Sequence, residues 1–247
     1  MISKSELEEY AKRKGIKNLG FAELDYFQNL LLFIIYRNSA NEVIFKGGTA
    51  LYKCFGLDRF SEDLDFDILG DFDFKRIEKG LKDFGLEYEL KEKKFERSLK
   101  IIVRIKGPLF VGTKNSFCRL ELDFSLREKI ERPVLTKKIG RFIEEIPSFE
   151  VLVMSPEEIL SEKFRACLTR NKARDVYDIY FLINEGIKVN KELINGKLKY
   201  YSKKYNKKEF SKSLNEKKKI WKTEMGPLLN NAMPSFEEVI KFIEKQL

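Results

Sequence analysis

With 247 residues, 43% of them hydrophobic and 21 of them Phe, the chain can bury a real core as one domain or two modest ones. It contains no His, which excludes Ser-His-Asp and Cys-His nucleophiles and His-ligated zinc, so general-base work must fall to carboxylates or Lys. The formal charge of +9 is concentrated in one stretch, Lys197 to Lys222, with eleven lysines against Glu209 and Glu216. Cys54, Cys118 and Cys167 are scattered and odd in number, suggesting neither a disulfide framework nor a thiolate metal site. No segment approaches the roughly 20 apolar residues of a membrane span, and the start, Met-Ile-Ser-Lys-Ser-Glu, lacks the apolar core of a signal peptide. A cytoplasmic protein without a membrane partner is expected.

Ser5-Glu-Leu-Glu8 has the spacing of a capping box and predicts the start of a first helix, with Gly15 at its end. Phe21 to Tyr36 predicts a longer, apolar helix, leading through residues 37–41 into a strand of β-formers, Val43, Ile44 and Phe45. Gly47 and Gly48 follow at once. They allow a tight turn and let an anion approach main-chain N–H groups. A helix from Thr49 to Phe55 would add its N-terminal dipole, so Gly47, Gly48 and Thr49 are candidate phosphate contacts. In the next strand Asp63, Asp65 and Asp67 share one face, and Leu64, Phe66 and Ile68 the other. Asp is depleted in strands, and three on one face repel one another unless a cation sits among them. A hard dication such as Mg²⁺ (or Mn²⁺) meets that need, held by one or two carboxylates plus substrate phosphates.

Phe74 to Phe84 carries apolar residues at helical spacing, and strands follow around Tyr88 and Leu90 and over Ile101 to Ile105. In Phe117 to Ser125, Leu120, Leu122 and Phe124 alternate with Arg119, Glu121 and Asp123. Ser155-Pro-Glu-Glu158 predicts a helix start and a boundary between a core, residues 1–150, and a helical region, 151–247. On that helix Lys163 shares the face of Ile159, Leu160 and Cys167, an unusual place for a lysine. In the next, Arg174 and Asp178 are spaced to pair. The lysine-rich stretch interleaves Tyr200, Tyr201, Tyr205, Phe210 and Trp221 with its charges. This fits a nucleic-acid surface, with Lys203, Lys204, Lys207, Lys208, Lys217, Lys218 and Lys219 on phosphates. It also fits a solvated amphipathic helix pair with the aromatics inside. Pro234-Ser-Phe-Glu-Glu238 caps a last helix, whose Phe236, Val239, Ile240 and Ile243 should dock on the body.

Lys46-Gly-Gly-Thr-Ala-Leu51 with Arg59-Phe-Ser-Glu-Asp-Leu-Asp-Phe66 closely resembles the first motif of the AbiEii/AbiGii-type nucleotidyltransferase toxins, of the polymerase-beta-like superfamily. The resemblance implies an α+β fold: a nucleotidyltransferase core of mixed sheet flanked by helices, then a helical C-terminal region, with the active site in the cleft between. It implies that an NTP is bound by Lys46, Gly47, Gly48, Thr49, Arg59 and Ser61, and metal by Asp63 and Asp65. Asp123 is the candidate third carboxylate, with Glu121 as alternative. Lys163 is implied as a triphosphate contact, and one of Asp175 and Asp178, in Arg174-Asp-Val-Tyr-Asp-Ile-Tyr-Phe-Leu182, as supporting catalysis or positioning Lys163. Relatives modify the 3′ end of tRNA and are paired with an antitoxin, often a DNA-binding regulator. A silent RNA-binding module of the same fold, or transfer to a small molecule or protein, are the alternatives. Intact Asp63, Asp65 and Lys163 speak against the first, and the lysine-rich stretch against the second.

Overall fold

A computed structural model describes residues 2–37, 42–126, 129–140, 146–229 and 232–247. Of the linker expected across 37–41, all but Arg37 lies outside them. The chain divides into two units. The first comprises Met1–Cys54, Ser61–Leu126 and Leu135–Val153, and the second Phe55–Phe60, Arg127–Val134 and Met154–Leu247.

Among the described residues, the first unit is built on seven strands: β1 (Val43–Lys46), β2 (Leu64–Ile68), β3 (Tyr88–Phe95), β4 (Ser98–Ile105), β5 (Cys118–Ser125), β6 (Leu135–Ile139) and β7 (Phe149–Val153). They form a mixed sheet in the order β3-β4-β5-β2-β1-β7-β6. The pairs β2–β5 and β1–β7 are parallel, and the remaining pairs antiparallel. The β6–β7 hairpin is not foreseen from sequence; its strands are five residues each, too short to set a clear period beside Lys137 and Lys138. Among the described residues, the α-helices that accompany the sheet are α1 (Lys4–Lys14), α2 (Leu19–Tyr36), α3 (Gly47–Cys54) and α4 (Lys75–Asp83).

The first helix starts earlier than its spacing suggests. Two overlapping Ser-x-x-Glu sequences compete, and the box forms at the upstream one. The Ser3 hydroxyl accepts from Glu6 N–H at 3.3 Å, and the Glu6 carboxylate accepts from Ser3 N–H at 2.6 Å. Leu7, Tyr10 and Ala11 are then buried, and Gly15 closes the helix at φ +67°, as expected. Below the acidic face of the sheet lies a rung of aromatic rings. Phe45, Phe66 and Phe124 are register neighbours on β1, β2 and β5, all fully buried. Their ring centroids are 5.5 Å apart for Phe45–Phe66 and 5.0 Å for Phe66–Phe124. Phe72 and Phe74, leading into α4, close on Phe124 at 5.8 and 5.0 Å.

The second unit is helical: α5 (Pro156–Thr169), α6 (Ala173–Asn184), α7 (Lys191–Lys199), α8 (Lys207–Glu216), α9 (Lys218–Met225) and α10 (Phe236–Glu244). Helix α5 packs against α6, α7 and α8, while α6 also meets α9 and α10. Ser155 caps α5, accepting from Glu158 N–H at 3.3 Å. Glu158 does not complete the box. Its buried carboxylate accepts from the backbone N–H groups of Glu131 and Arg132, at 3.0 and 2.9 Å, and from Lys197 Nζ at 2.6 Å. At α10 the box is complete, between Ser235 and Glu238, and Phe236, Val239, Ile240 and Ile243 are buried as expected.

Candidate active site

In the sheet unit, strand register places four charged side chains side by side. Lys46 of β1 is the partner of Asp65 on β2, Asp65 the partner of Asp123 on β5, and Asp123 the partner of Lys100 on β4. Register partners in a sheet project from the same face, so two adjacent acids are flanked by two lysines. Lys100 Nζ lies 3.1 Å from Asp123 Oδ2 and 2.6 Å from Glu121 Oε2. Lys46 Nζ lies 2.8 Å from Asp67 Oδ1.

The acids differ in their electrostatics. Burial, then the charge of Asp65, raises the Asp123 pKa above the ordinary carboxylate value, against the opposing pull of Lys100. Burial also acts to raise Glu121, but the hydrogen bond and charge of Lys100, with those of Arg119, outweigh it and leave its pKa lowered. Glu121 is thus a settled ion-pair partner, whereas Asp123 stands beside a second carboxylate, Asp65, whose charge opposes its ionisation. Of the two candidates for a third carboxylate, Asp123 is the one beside Asp65.

The glycine turn sits directly on Asp65. Gly47 has φ +76°, and a Cβ there would stand 2.2 Å from Asp65 Oδ2. Only glycine fits both the backbone and the approach. Helix α3 starts at Gly47 itself, two residues before Thr49, so Gly47 and Gly48 form its first turn. The Thr49 hydroxyl, fully buried, donates to the Asp63 carbonyl and is hydrogen-bonded to Ser61 Oγ at 2.9 Å. Gln28 of α2 donates to the carbonyls of Ser61 and Glu62 at 2.9 and 2.8 Å. Thr49 and Ser61 are brought together as scaffolding for the segment that delivers Asp63, one residue before β2.

Among the described residues, no three acidic or thiol side chains converge in a metal-holding arrangement. The donor set present, two register-paired carboxylates facing a glycine turn, fits a hard dication that takes its other oxygens from substrate phosphates and water.

In the helical unit a second cluster forms. Arg59 is buried and forks onto Asp178, with Nε–Oδ1 at 2.6 Å and Nη2–Oδ2 at 2.7 Å. Lys163 Nζ is 2.7 Å from Asp178 Oδ2 and 3.4 Å from Asp175 Oδ1. Arg170 forks onto Asp175, both contacts at 2.8 Å. Burial alone would raise both aspartates, but the cations win. Arg59 and Lys163 hold Asp178 below the usual carboxylate range, and Lys163 and Arg170 do the same for Asp175. Lys163 therefore does not snorkel outward from its apolar stripe; both aspartates hold it. The partners of Asp178 are Arg59 and Lys163, where helical spacing pointed to Arg174.

The lysine-rich stretch is only partly a surface. Lys203, Lys204, Lys207, Lys208, Lys218 and Lys219 are exposed. Lys217 must be removed from that group. It is buried, and Nζ donates to Cys167 O at 2.8 Å and to Ser213 O and Oγ at 2.9 Å, since α8 and α9 meet at this residue and turn its side chain inward. The aromatics divide too. Phe210 stacks on Phe164 at 4.4 Å, and Trp221 packs edge-on against Phe236 at 5.4 Å, while Tyr200 stays exposed. For Phe210 and Trp221 the amphipathic-helix reading holds, and neither is available to stack on a base.

Sequence reasoning did not find Lys100, Gln28 or Arg170 as members of these clusters. The nearest signal for Lys100 was its place one residue before the strand expected over Ile101 to Ile105.

A family model described as nucleotidyl transferase AbiEii toxin, Type IV TA system, matches residues 31–241. Among curated protein sequences there is no significant match. Among solved structures, the chain is similar to an inferred nucleotidyltransferase from H. pylori, at 26% identity and TM-score 0.61, covering 90% of this chain and 92% of that one. The Helicobacter pylori protein JHP933 is similar at 23% identity and TM-score 0.54, covering 89% and 88%. MenT4, a nucleotidyltransferase toxin from Mycobacterium tuberculosis H37Rv, is similar at 18% identity and TM-score 0.68, covering 100% and 88%. These last two likenesses are of fold: a mixed sheet flanked by helices, with helices following.

Proposed function

Starting from the fact that the chain belongs to the AbiEii family of nucleotidyl transferase toxins of Type IV toxin–antitoxin systems, we propose that it transfers a nucleoside monophosphate from an NTP to a hydroxyl, that of a tRNA 3′ end. The observation that carries this reading is the register pairing of Asp65 with Asp123 beneath the Gly47 turn.

In the proposed step the acceptor hydroxyl oxygen bonds to the α-phosphorus, the bond from that phosphorus to the β-phosphate bridging oxygen breaks, and pyrophosphate leaves. Asp65 and Asp123 would hold Mg²⁺ or Mn²⁺, with Asp63, one residue before β2, proposed as a further ligand. Such an ion, when bound, stabilises the charge on the attacking and leaving oxygens of an in-line displacement. The N–H groups of Gly47, Gly48 and Thr49 receive the phosphates at the start of α3. Asp123 is the proposed acceptor of the hydroxyl proton. In the helical unit Lys163 is the proposed phosphate contact, its ammonium positioned by Asp178 and Asp175, which are in turn anchored by Arg59 and Arg170. Lys46 stands beside Asp65 as a further cation for the nucleotide. The exposed lysines of α8 and α9 suit a polyanionic acceptor.

No helix among the described residues is long and apolar enough to cross a membrane, and we place the reaction in the cytoplasm, where NTP and tRNA are available. The family's toxin–antitoxin setting implies an antitoxin, proposed to be a DNA-binding regulator.

The test is incubation with each α-labelled NTP, Mg²⁺ and total tRNA, beside Asp65→Asn. Label at RNA 3′ ends with the native chain alone is expected. Label confined to a small molecule or to protein would replace the acceptor, and no transfer from any NTP would overturn the reading.

A further inference from the structure

The charge row leaves Lys100 with two carboxylates at once, and this has a consequence for cation binding. Asp123 is its register partner across β4 and β5. Glu121, two residues earlier on β5, projects from the same face. Nζ lies closer to Glu121 than to Asp123, at 2.6 against 3.1 Å. Glu121 is itself paired with Arg119 through its other oxygen, and its side chain is mostly buried.

We propose that Lys100 is the resident counter-ion of Asp123, which an incoming dication displaces onto Glu121, so that Lys100 and Glu121 together set the affinity of the acidic pair for metal. This rests on the assignment of Asp65 and Asp123 as the cation site. With no cation, an ammonium at Asp123 offsets the repulsion between the two acids. A dication on the pair repels that ammonium. Lys100 then keeps its shorter contact to Glu121 and never becomes a stranded charge, so the exchange costs one partly exposed ion pair and no more. Remove Glu121 and the lysine has only Asp123 to pair with, which makes it a stronger competitor. Remove Lys100 and the competitor is gone.

The two substitutions therefore act in opposite directions. Mn²⁺ binding to the purified full chain, followed by electron paramagnetic resonance without nucleotide, reads them out. K100M is expected to bind about fivefold more tightly than the native chain, and E121Q about fivefold more weakly. In the K100M background, E121Q should have little further effect, the coupling expected of residues acting through one another. Loss of folding would weaken binding in both cases, so tightening in K100M has no merely structural explanation. D65N separates this inference from the reading beneath it. If D65N abolishes Mn²⁺ binding while K100M leaves it unchanged or weaker, the role of Lys100 is overturned and the site stands. If D65N binds as the native chain does, or no form binds Mn²⁺, both are overturned.

Discussion

Gly47 carries two constraints on one atom position. Its φ of +76° is a left-handed conformation, and the space a side chain would need is filled by Asp65 Oδ2. Gly47→Ala should cost about 1–2 kcal/mol from the backbone alone, a modest fall in melting temperature. Its larger effect should be on transfer, because the Asp65 carboxylate must move aside; a displacement of that order costs about 100-fold in rate. Rate and melting temperature, measured on the same preparation, separate the two. Asp178 presents the converse case. Asp178→Asn leaves Arg59 and Lys163 buried with one carboxylate fewer, and a loss of about 3–5 kcal/mol is expected. The pH dependence follows from the lowered pKa values of Asp175 and Asp178. Their stabilisation is fully present above the unfolded value, about 3.9, and is lost as pH falls through the folded values. Melting curves taken from pH 6 downward should show the native chain losing stability on acidification more steeply than D178N.

Among the elements, what could be read in advance follows the range of the interaction. The turn at Gly47, the alternating acids of β2 and the caps at Ser155 and Ser235 depend on neighbours within a few residues, and spacing reveals them. Asp123 was singled out by the family resemblance on an alternating strand, and its place beside Asp65 comes only from the β2–β5 register. Lys100 was not, since its meaning comes only from the β4–β5 register. Arg59 and Asp178 lie 119 residues apart, so helical spacing offered Arg174 as the partner of Asp178, when the buried fork comes from a distant segment. Lys217 shows the limit of charge counting, because a lysine in a basic run can still point inward. This yields a paired prediction. Changing Lys203, Lys204, Lys207 and Lys208 to Gln should leave the melting temperature nearly unchanged and weaken RNA binding, with a shallower dependence on salt. Lys217→Ala should leave that salt dependence alone and lower stability by about 1–3 kcal/mol, since buried acceptors lose their donor.

For the whole molecule, the helical unit is discontinuous in sequence. Phe55–Phe60 and Arg127–Val134 belong to it as much as Met154–Leu247 does. Phe60 N–H donates to Leu228 O at 2.7 Å, and Arg59 supplies the fork on Asp178. A fragment cut at residue 154 would keep every helix of that unit and lose Arg59, along with the Glu131 and Arg132 donors to Glu158. Such a fragment is expected to show helical circular dichroism without a cooperative thermal transition, whereas the full chain melts cooperatively. A boundary near residue 150 drawn along the sequence therefore cuts through a unit that the packing holds together.

The aromatic rung beneath the acids gives the chain an unusual mutational profile. Phe66 and Phe124 are fully buried, yet each is covalently next to a carboxylate proposed to act in the reaction, Asp65 and Asp123. A leucine at either place would preserve hydrophobicity but loosen the spacing of the two strands. In a random-mutagenesis screen for survivors of the toxin, such core changes should be recovered beside changes at Asp65 and Asp123, as folded and abundant protein without activity.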